Sequence, residues 1–284
     1  MIIAADSQAL RDRLNALRVD NATVGFVPTM GNLHAGHLSL IEQARSVADV
    51  VVVSIFVNPM QFAAHEDLDT YPRTLEADLS ALREVKADLV FTPSTSDIYP
   101  HGCENETTIH VPILGEALCG KERPGHFDGV CTVVYKLFQL VKPDVAIFGE
   151  KDLQQLLIIK KMTRDLALPI DIQSGATRRA ADGLALSSRN QYLTPDQRAI
   201  APLLWQTLQH CADRLTKTPA DEVALMLATA RNKIAQAGFS LDYLELRSLA
   251  TLTTVSDTSV DCALFVAARL GHTRLIDNIQ ICAR

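Results

Sequence analysis

The sequence lacks several features that would fix its class at once. It contains no Gly-x-Gly-x-x-Gly, which argues against a dinucleotide-binding fingerprint. None of its six cysteines (Cys103, Cys119, Cys131, Cys211, Cys262, Cys282) forms a Cys-x-x-Cys pair. Their scatter fits neither a zinc spacing nor a disulfide framework, so they read as reduced thiols of a cytoplasmic protein. The longest apolar run, Val50 to Val57, is interrupted by Ser54 and is too short to span a bilayer, so no membrane partner is expected. Met1 to Asp6 shows no basic region followed by an apolar core, and no secretory signal is expected. Positive charge is not in excess: the net charge is -6, and broad nucleic-acid binding is not expected. Internal repeats and low-complexity tracts are also missing.

What is present is an ordinary globular composition, 48% hydrophobic and 21% charged over 284 residues, enough for a sizeable core and two domains. The chain is organised around Val24 to Ile41 (VGFVPTMGNLHAGHLSLI). A short β-type run, Val24 to Val27, is expected to end at Pro28, which has no N–H to donate. A glycine-containing turn follows, and from His37 the apolar spacing becomes helical. Strand, tight turn and helix aim backbone N–H groups and the positive end of a helix dipole at an anion. His34 and His37 are three apart and would share a face of the first turn. Three readings fit the pair: a metal site, although no third ligand has a diagnostic spacing; hydrogen-bonded structural imidazoles; or a phosphate-facing pair that stabilises developing charge. The third is preferred, since His-Ala-Gly-His resembles the His-x-Gly-His signature of adenylyl-transferring Rossmann enzymes.

Along the chain, helical spacing covers Ser7 to Leu17, Thr70 to Lys86, Asp128 to Val141 and Leu153 to Leu166. Strand-like runs cover Asp49 to Asn58, Asp88 to Thr92, Val145 to Phe148 and Pro169 to Gln173. This alternation predicts an α/β fold with a mostly parallel sheet. Residues 93–127 read as irregular. The composition shifts near Ser174; Asp182-Gly183 signals a hairpin. Two helical stretches (195–215 and 220–237) and then strands (241–247, 263–269, 273–276) suggest an α+β unit. The expected domains are residues 1–175 and 176–284.

Three further motifs invite chemistry. Gly115 to Lys121 has the spacing of a phosphate-binding loop but continues with Glu122, where Ser or Thr must hold magnesium, and it is read as a decoy. Phe148 to Asp152 crowds a glycine, a cation and carboxylates at a strand end; Lys151 suits a phosphate as a compact point charge, and Asp152 could cap the next helix. Leu186 to Asn190 offers two hydroxyls and an arginine, a fork of donors for phosphate oxygens. Gln61 and Gln155 are neutral amides able to orient a polyol acid.

Taken together and in order, Pro28–His37, Phe56–Phe62, Tyr71–Thr74 (YPRT), Arg123–Val130 (RPGHFDGV), Phe148–Asp152 with Gln155, Asp182–Asn190 and Arg274–Asn278 closely resemble the pantoate–β-alanine ligase family. The resemblance implies a Rossmann-like domain followed by a smaller α+β domain closing over the ATP site. It implies condensation of pantoate with β-alanine, using ATP and Mg2+, through a pantoyl adenylate, with release of pyrophosphate and AMP. Position by position it implies ATP contacts from Met30, Gly31, Asn32, Leu33, His34, Ala35, Gly36 and His37. It extends them to Gly149, Glu150, Lys151, Asp152, Arg178, Leu186, Ser187, Ser188 and Arg189. Of these, His34, His37, Lys151, Ser187, Ser188 and Arg189 would act in catalysis. Gln61, Gln155 and Asn58 would face pantoate, Asp78 would accompany magnesium, and the chain would form a homodimer. Arg123 falls in a family motif without an assigned role. Arg178 stands where the family typically has an aliphatic residue, and Gln173 to Thr177 lacks the usual apolar strand character. The alternatives are a nucleotidylyltransferase with a phosphorylated acceptor, or an ATP-binding regulatory protein without turnover.

Overall fold

Alternating strands and helices build a six-stranded parallel sheet in the computed structural model, which describes residues 1–63, 66–215 and 217–283. The elements run β1 (Ile2–Ala4), α1 (Ser7–Leu17), β2 (Val24–Thr29), α2 (Ala35–Val47), β3 (Val50–Ile55), α3 (Leu75–Glu84) and β4 (Leu89–Phe91). Two short helices, α4 (Thr95–Ile98) and α5 (Cys119–Glu122), precede α6 (His126–Val141), β5 (Val145–Gly149), α7 (Leu153–Asp165) and β6 (Asp171–Gly175). The strand order is β1-β4-β3-β2-β5-β6. Sequence order therefore reverses between β2 and β5, and the crevice beyond the carboxyl ends of those two strands is where such sheets bind ligands.

Pro28 does not end β2; it pairs with Ser54 inside the strand. The β2–β5 ladder stops at Phe26. Val24 donates toward the β5 side, to Asp144, and Phe26 and Pro28 follow it at the period of two. Pro28 thus occupies a position past the end of that ladder, where no donor is needed. The polar segment from Gln173 to Gly175 is also a strand, despite its composition, because β6 lies at the sheet edge with one face of its ladder free. Helix α3 is shorter than its spacing suggests, starting only after Pro72 and Thr74.

The second part of the chain contains α8 (Pro195–Ile200), α9 (Leu203–Leu215), α10 (Ala220–Gln236) and an antiparallel sheet β7 (Ser240–Ser248), β8 (Cys262–Leu270), β9 (Thr273–Ile281). The expected single helix over 195–215 is broken before Pro202, which cannot donate to the preceding turn. The central strand β8 is apolar on both faces for a physical reason. Leu264, Val266 and Ala268 pack with α9 and α10, while Ala263, Phe265 and Ala267 join the core under α6 and α7 of the first sheet. The small sheet is thereby seated against the large one, and a cleft remains between them.

Candidate active site

The turn after β2 is shaped by Gly31, at φ +79°, a conformation glycine adopts without strain. Buried Asp78, on α3, holds that turn: its oxygens accept from the backbone N–H groups of Asn32 (2.9 Å) and Leu33 (2.7 Å). Thr74 donates its hydroxyl to the same carboxylate at 3.2 Å. The chain then enters α2 with His34 as N-cap and His37 at the third helical position. His34 Nδ1 accepts from the Gly36 N–H at 3.1 Å, and His37 Nδ1 accepts from the His34 N–H at 3.3 Å. A Cβ on Gly36 would lie 2.8 Å from the His34 ring, so only glycine lets this cap close.

The cap fixes the chemistry of both rings. A nitrogen that accepts from a backbone N–H carries no proton, so each neutral imidazole is the Nε2–H tautomer. Burial, then the Lys151 ammonium, lowers the His34 pKa to about 4. Burial, then His34 and Lys151, lowers that of His37 to about 3. Both rings are neutral hydrogen-bond donors at physiological pH.

Lys151 follows β5 in a single 3-10 turn, Glu150–Asp152. Its ammonium is 3.7 Å from the Asp152 carboxylate. Asp152 stands at the N-cap of α7 but makes no side-chain capping bond, so the capping role read from sequence is not realised. The two adjacent glutamines of α7 divide their work. Gln154 is buried, accepts from Cys119 N–H and donates to the carbonyls of Leu114 and Ala117. Gln155 lines the cavity.

Gln61 faces the same space from the segment after β3. Its side chain donates to Met30 Sδ at 3.0 Å and accepts from Asn58 at 3.1 Å. Asn58 is itself buried and held by Tyr99 and Gly129, so it orients Gln61. Arg123 gains a role here. It pairs with Glu66 and donates to the main-chain oxygen of Gln61. His126 donates from Nδ1 to that same oxygen at 2.8 Å and accepts from Arg123 on Nε2 at 3.0 Å. It is the opposite tautomer to His34 and His37, and burial followed by Arg123 lowers its pKa to about 4.

The hairpin around Asp182-Gly183, bridged at Arg179 and Ala185, delivers the third motif. Ser188 donates to the Asn32 carbonyl at 3.0 Å, which joins this loop to the glycine turn. Ser187 caps the following 3-10 turn by accepting from the Arg189 N–H. Arg189 is already partnered: Nε and Nη2 reach the two oxygens of Asp67 at 3.0 and 2.9 Å.

A cavity of about 220 Å3 collects Met30, His34, Gly36, His37, Asn58, Gln61, Gly149, Lys151, Asp152, Gln155, Arg178 and the run Leu186 to Arg189. It opens into a wider cleft of about 850 Å3 between the two sheets. Gly31, Asn32, Leu33, Ala35, Glu150 and Asp78 do not line the small cavity; they shape the turns that do. Asp78, expected beside magnesium, anchors the turn. Its oxygens face backbone donors, and no group of three His, Cys, Asp or Glu side chains among the described residues could hold a metal ion. Residues that sequence reasoning passed over are Glu66 and Asp67, together with His126, Asp277 and Asn278 in their individual roles. A carboxylate two or three residues from a motif gives no periodic signal.

A model of the pantoate–β-alanine ligase family matches residues 2–280. A pantothenate synthetase of Pseudomonas aeruginosa is 52% identical over 96% of this chain and 96% of its own. The crystal structure of pantothenate synthetase from Thermus thermophilus superposes with a TM-score of 0.90 at 42% identity, covering 99% of this chain and 100% of that one. The pantoate–β-alanine ligase of Francisella tularensis, solved with β,γ-ATP and β-alanine, gives 0.83 at 38% identity, covering 99% and 97%.

Proposed function

The chain belongs to the pantoate–β-alanine ligase family, and from that premise we propose how its cavity condenses pantoate with β-alanine using ATP. The reaction runs in two steps. A pantoate carboxylate oxygen attacks the α-phosphorus of ATP, the bond to the bridging oxygen breaks, and pyrophosphate leaves. The β-alanine amine then attacks the acyl carbon, the acyl–oxygen bond breaks, AMP leaves, and the nitrogen loses a proton.

The observation that carries this reading is the convergence of neutral donors and the Lys151 cation on a single cavity beyond β2 and β5. His34 and His37 present Nε2–H groups to phosphate oxygens, and Lys151 presents a point charge. Ser187 and Ser188 supply hydroxyls from the opposite wall. Such donors act by stabilising charge that develops in the transition state. Arg189 must exchange Asp67 for a phosphate oxygen to take part. Gln61 and Gln155 hold pantoate by neutral hydrogen bonds, leaving its carboxylate free to attack; alignment of two anionic reactants is the main requirement.

Magnesium would be held chiefly by the nucleotide's phosphate oxygens and water, as this hard cation commonly is, and would supply positive charge against the triphosphate. Residues 176–284 act as the unit that closes over ATP, a reading supported by the Ser188–Asn32 contact. The homodimer and the cytoplasmic location remain part of the proposal. The six unpaired cysteines support the latter, and no described helix is long and apolar enough to cross a membrane. Light scattering tests the former.

The deciding experiment is exchange of labelled pyrophosphate into ATP. It is expected with pantoate present and β-alanine absent. Release of ADP and phosphate in the complete reaction would overturn the adenylate.

A further inference from the structure

Strand β9 carries two adjacent polar residues, Asp277 and Asn278, both buried. Successive strand residues point to opposite faces, and the register shows which. Asp277 lies opposite Val266, on the side packed with α9 and α10. Asn278 lies opposite Phe265, on the side that shares the core of the large sheet. Each reaches a different wall of the cavity. Asp277 pairs with both terminal nitrogens of Arg179 at 2.6 and 2.9 Å, and Arg179 donates to the Gly183 carbonyl inside the hairpin. Asn278 donates its amide to the carbonyls of Glu150 and Lys151 at 2.8 and 3.0 Å. Since both partners can only accept, the NH2 end must face them.

The turn that presents Lys151 makes no side-chain capping bond of its own, at Gly149 or at Asp152. Its geometry is set from outside, by a side chain of the other sheet. We propose that Asn278 is a positioning residue for Lys151, fixing the Lys151 main chain so that the ammonium meets the ATP phosphates. The proposal rests on the reading of Lys151 as a phosphate-facing cation. Asp277 holds the opposite wall through Arg179, so one dipeptide sets the spacing between Lys151 and the serine loop.

The test is Asn278→Asp, nearly the same shape with an acceptor in place of the donor. An ionised carboxylate would repel two carbonyl oxygens, whereas a protonated one donates to one of them. The variant's pKa is therefore raised. Pantoate-dependent pyrophosphate exchange at pH 8 is expected to fall roughly tenfold or more, the order of one lost, well-placed hydrogen bond. The ratio to wild type should rise as pH drops toward 6. In a Lys151→Ala background the same change should reduce the rate by less than about twofold, because the group being positioned is gone. Far-ultraviolet circular dichroism establishes that each variant is folded at the assay temperature. If Asn278→Asp does not fold, Asn278→Ala in both backgrounds gives the same comparison without the charge. Equal losses in the two backgrounds would overturn the positioning role, as would a wild-type rate with a wild-type pH profile. Lys151→Ala at the wild-type rate would instead remove the reading of Lys151 itself, and this proposal with it.

Discussion

His34 donates its main-chain N–H to Nδ1 of His37 over 3.3 Å, and the two rings lie 4.1 Å apart between centroids. A helix cap and the proposed catalytic pair are thus one object. The cap commits both Nδ1 atoms, and what remains for the cavity is two neutral Nε2–H donors.

A pH prediction follows with a definite sign. The folded pKa values of His34 and His37, about 4 and about 3, lie below the ordinary value of 6.5. Between those values the unfolded chain binds more protons than the folded one, so stability rises with pH. The contribution is complete above pH 6.5 and is lost as pH falls toward the folded values. For buried His37 the slope is ~1.4 kcal/mol per pH unit. Thermal melts from pH 7.5 to 4.5 should show the decline, and His37→Gln should make it shallower. Adenylation should not increase as pH drops from 8 to 6, since imidazolium is not the working form. A rate that climbs through pH 6.5 on acidification would show that it is.

Lys151 is a cation of the cavity wall, 19% exposed, and among the described residues Asp152 is its only ion-pair partner. Lys151→Ala is expected to lower the adenylation rate roughly 10²-fold or more, as removal of one preorganised donor does. The melting temperature should hardly change, because the turn is held through its carbonyls. His37→Ala should resemble it, and His34→Ala should lose somewhat less. Single-turnover rates of adenylate formation would measure all three.

Asp78 separates a turn anchor from a metal ligand. Asp78→Ala leaves the N–H groups of Asn32 and Leu33 without their acceptor, a destabilisation of about 1–3 kcal/mol for a buried group. Melting should fall by several degrees. Asp78→Asn keeps one acceptor oxygen and should lose less stability. The magnesium concentration for half-maximal rate should stay within about twofold of wild type in the Asn variant, since the proposed ligands of the ion are phosphate oxygens and water. An unchanged melt with a tenfold greater magnesium requirement would return Asp78 to the metal.

Much of this was legible in the sequence because it is local. Strand, turn and helix at Val24 to Val47 follow from a change of period, with Gly31 and the histidines marking the turn. The strand end at Lys151 is visible in the same way. What was not legible depends on distant pairing. Asn278 meets Glu150 from 128 residues away, and Arg189 meets Asp67 from 122; neither leaves a spacing to read. The anchoring role of Asp78 was hidden for a related reason. A carboxylate on α3 points toward the site, but only the fold shows that backbone N–H groups already face both its oxygens.

Arg178 is the position where residue type departs from the family pattern, and the structure favours a main-chain role for it. Its carbonyl accepts from the Leu186 N–H at 2.9 Å, which ties the start of the hairpin to the serine loop. Its side chain is exposed, with Cβ directed near Gly36, and among the described residues it forms no ion pair. If the backbone supplies the contact with adenine, an aliphatic residue and an arginine serve equally well. The arginine stem can still cover apolar surface while its head stays in water, and stacking of the guanidinium on the base adds only about 0.5–1 kcal/mol at an exposed site. Arg178→Val should therefore change ATP affinity by less than about tenfold, or roughly 1.4 kcal/mol. The contrary case is a side chain that swings onto the triphosphate as an extra cation. Its removal would then weaken ATP and leave adenosine nearly untouched. Calorimetric titration of both ligands into both proteins distinguishes the two, and a loss greater than tenfold confined to ATP would place the guanidinium on the phosphates.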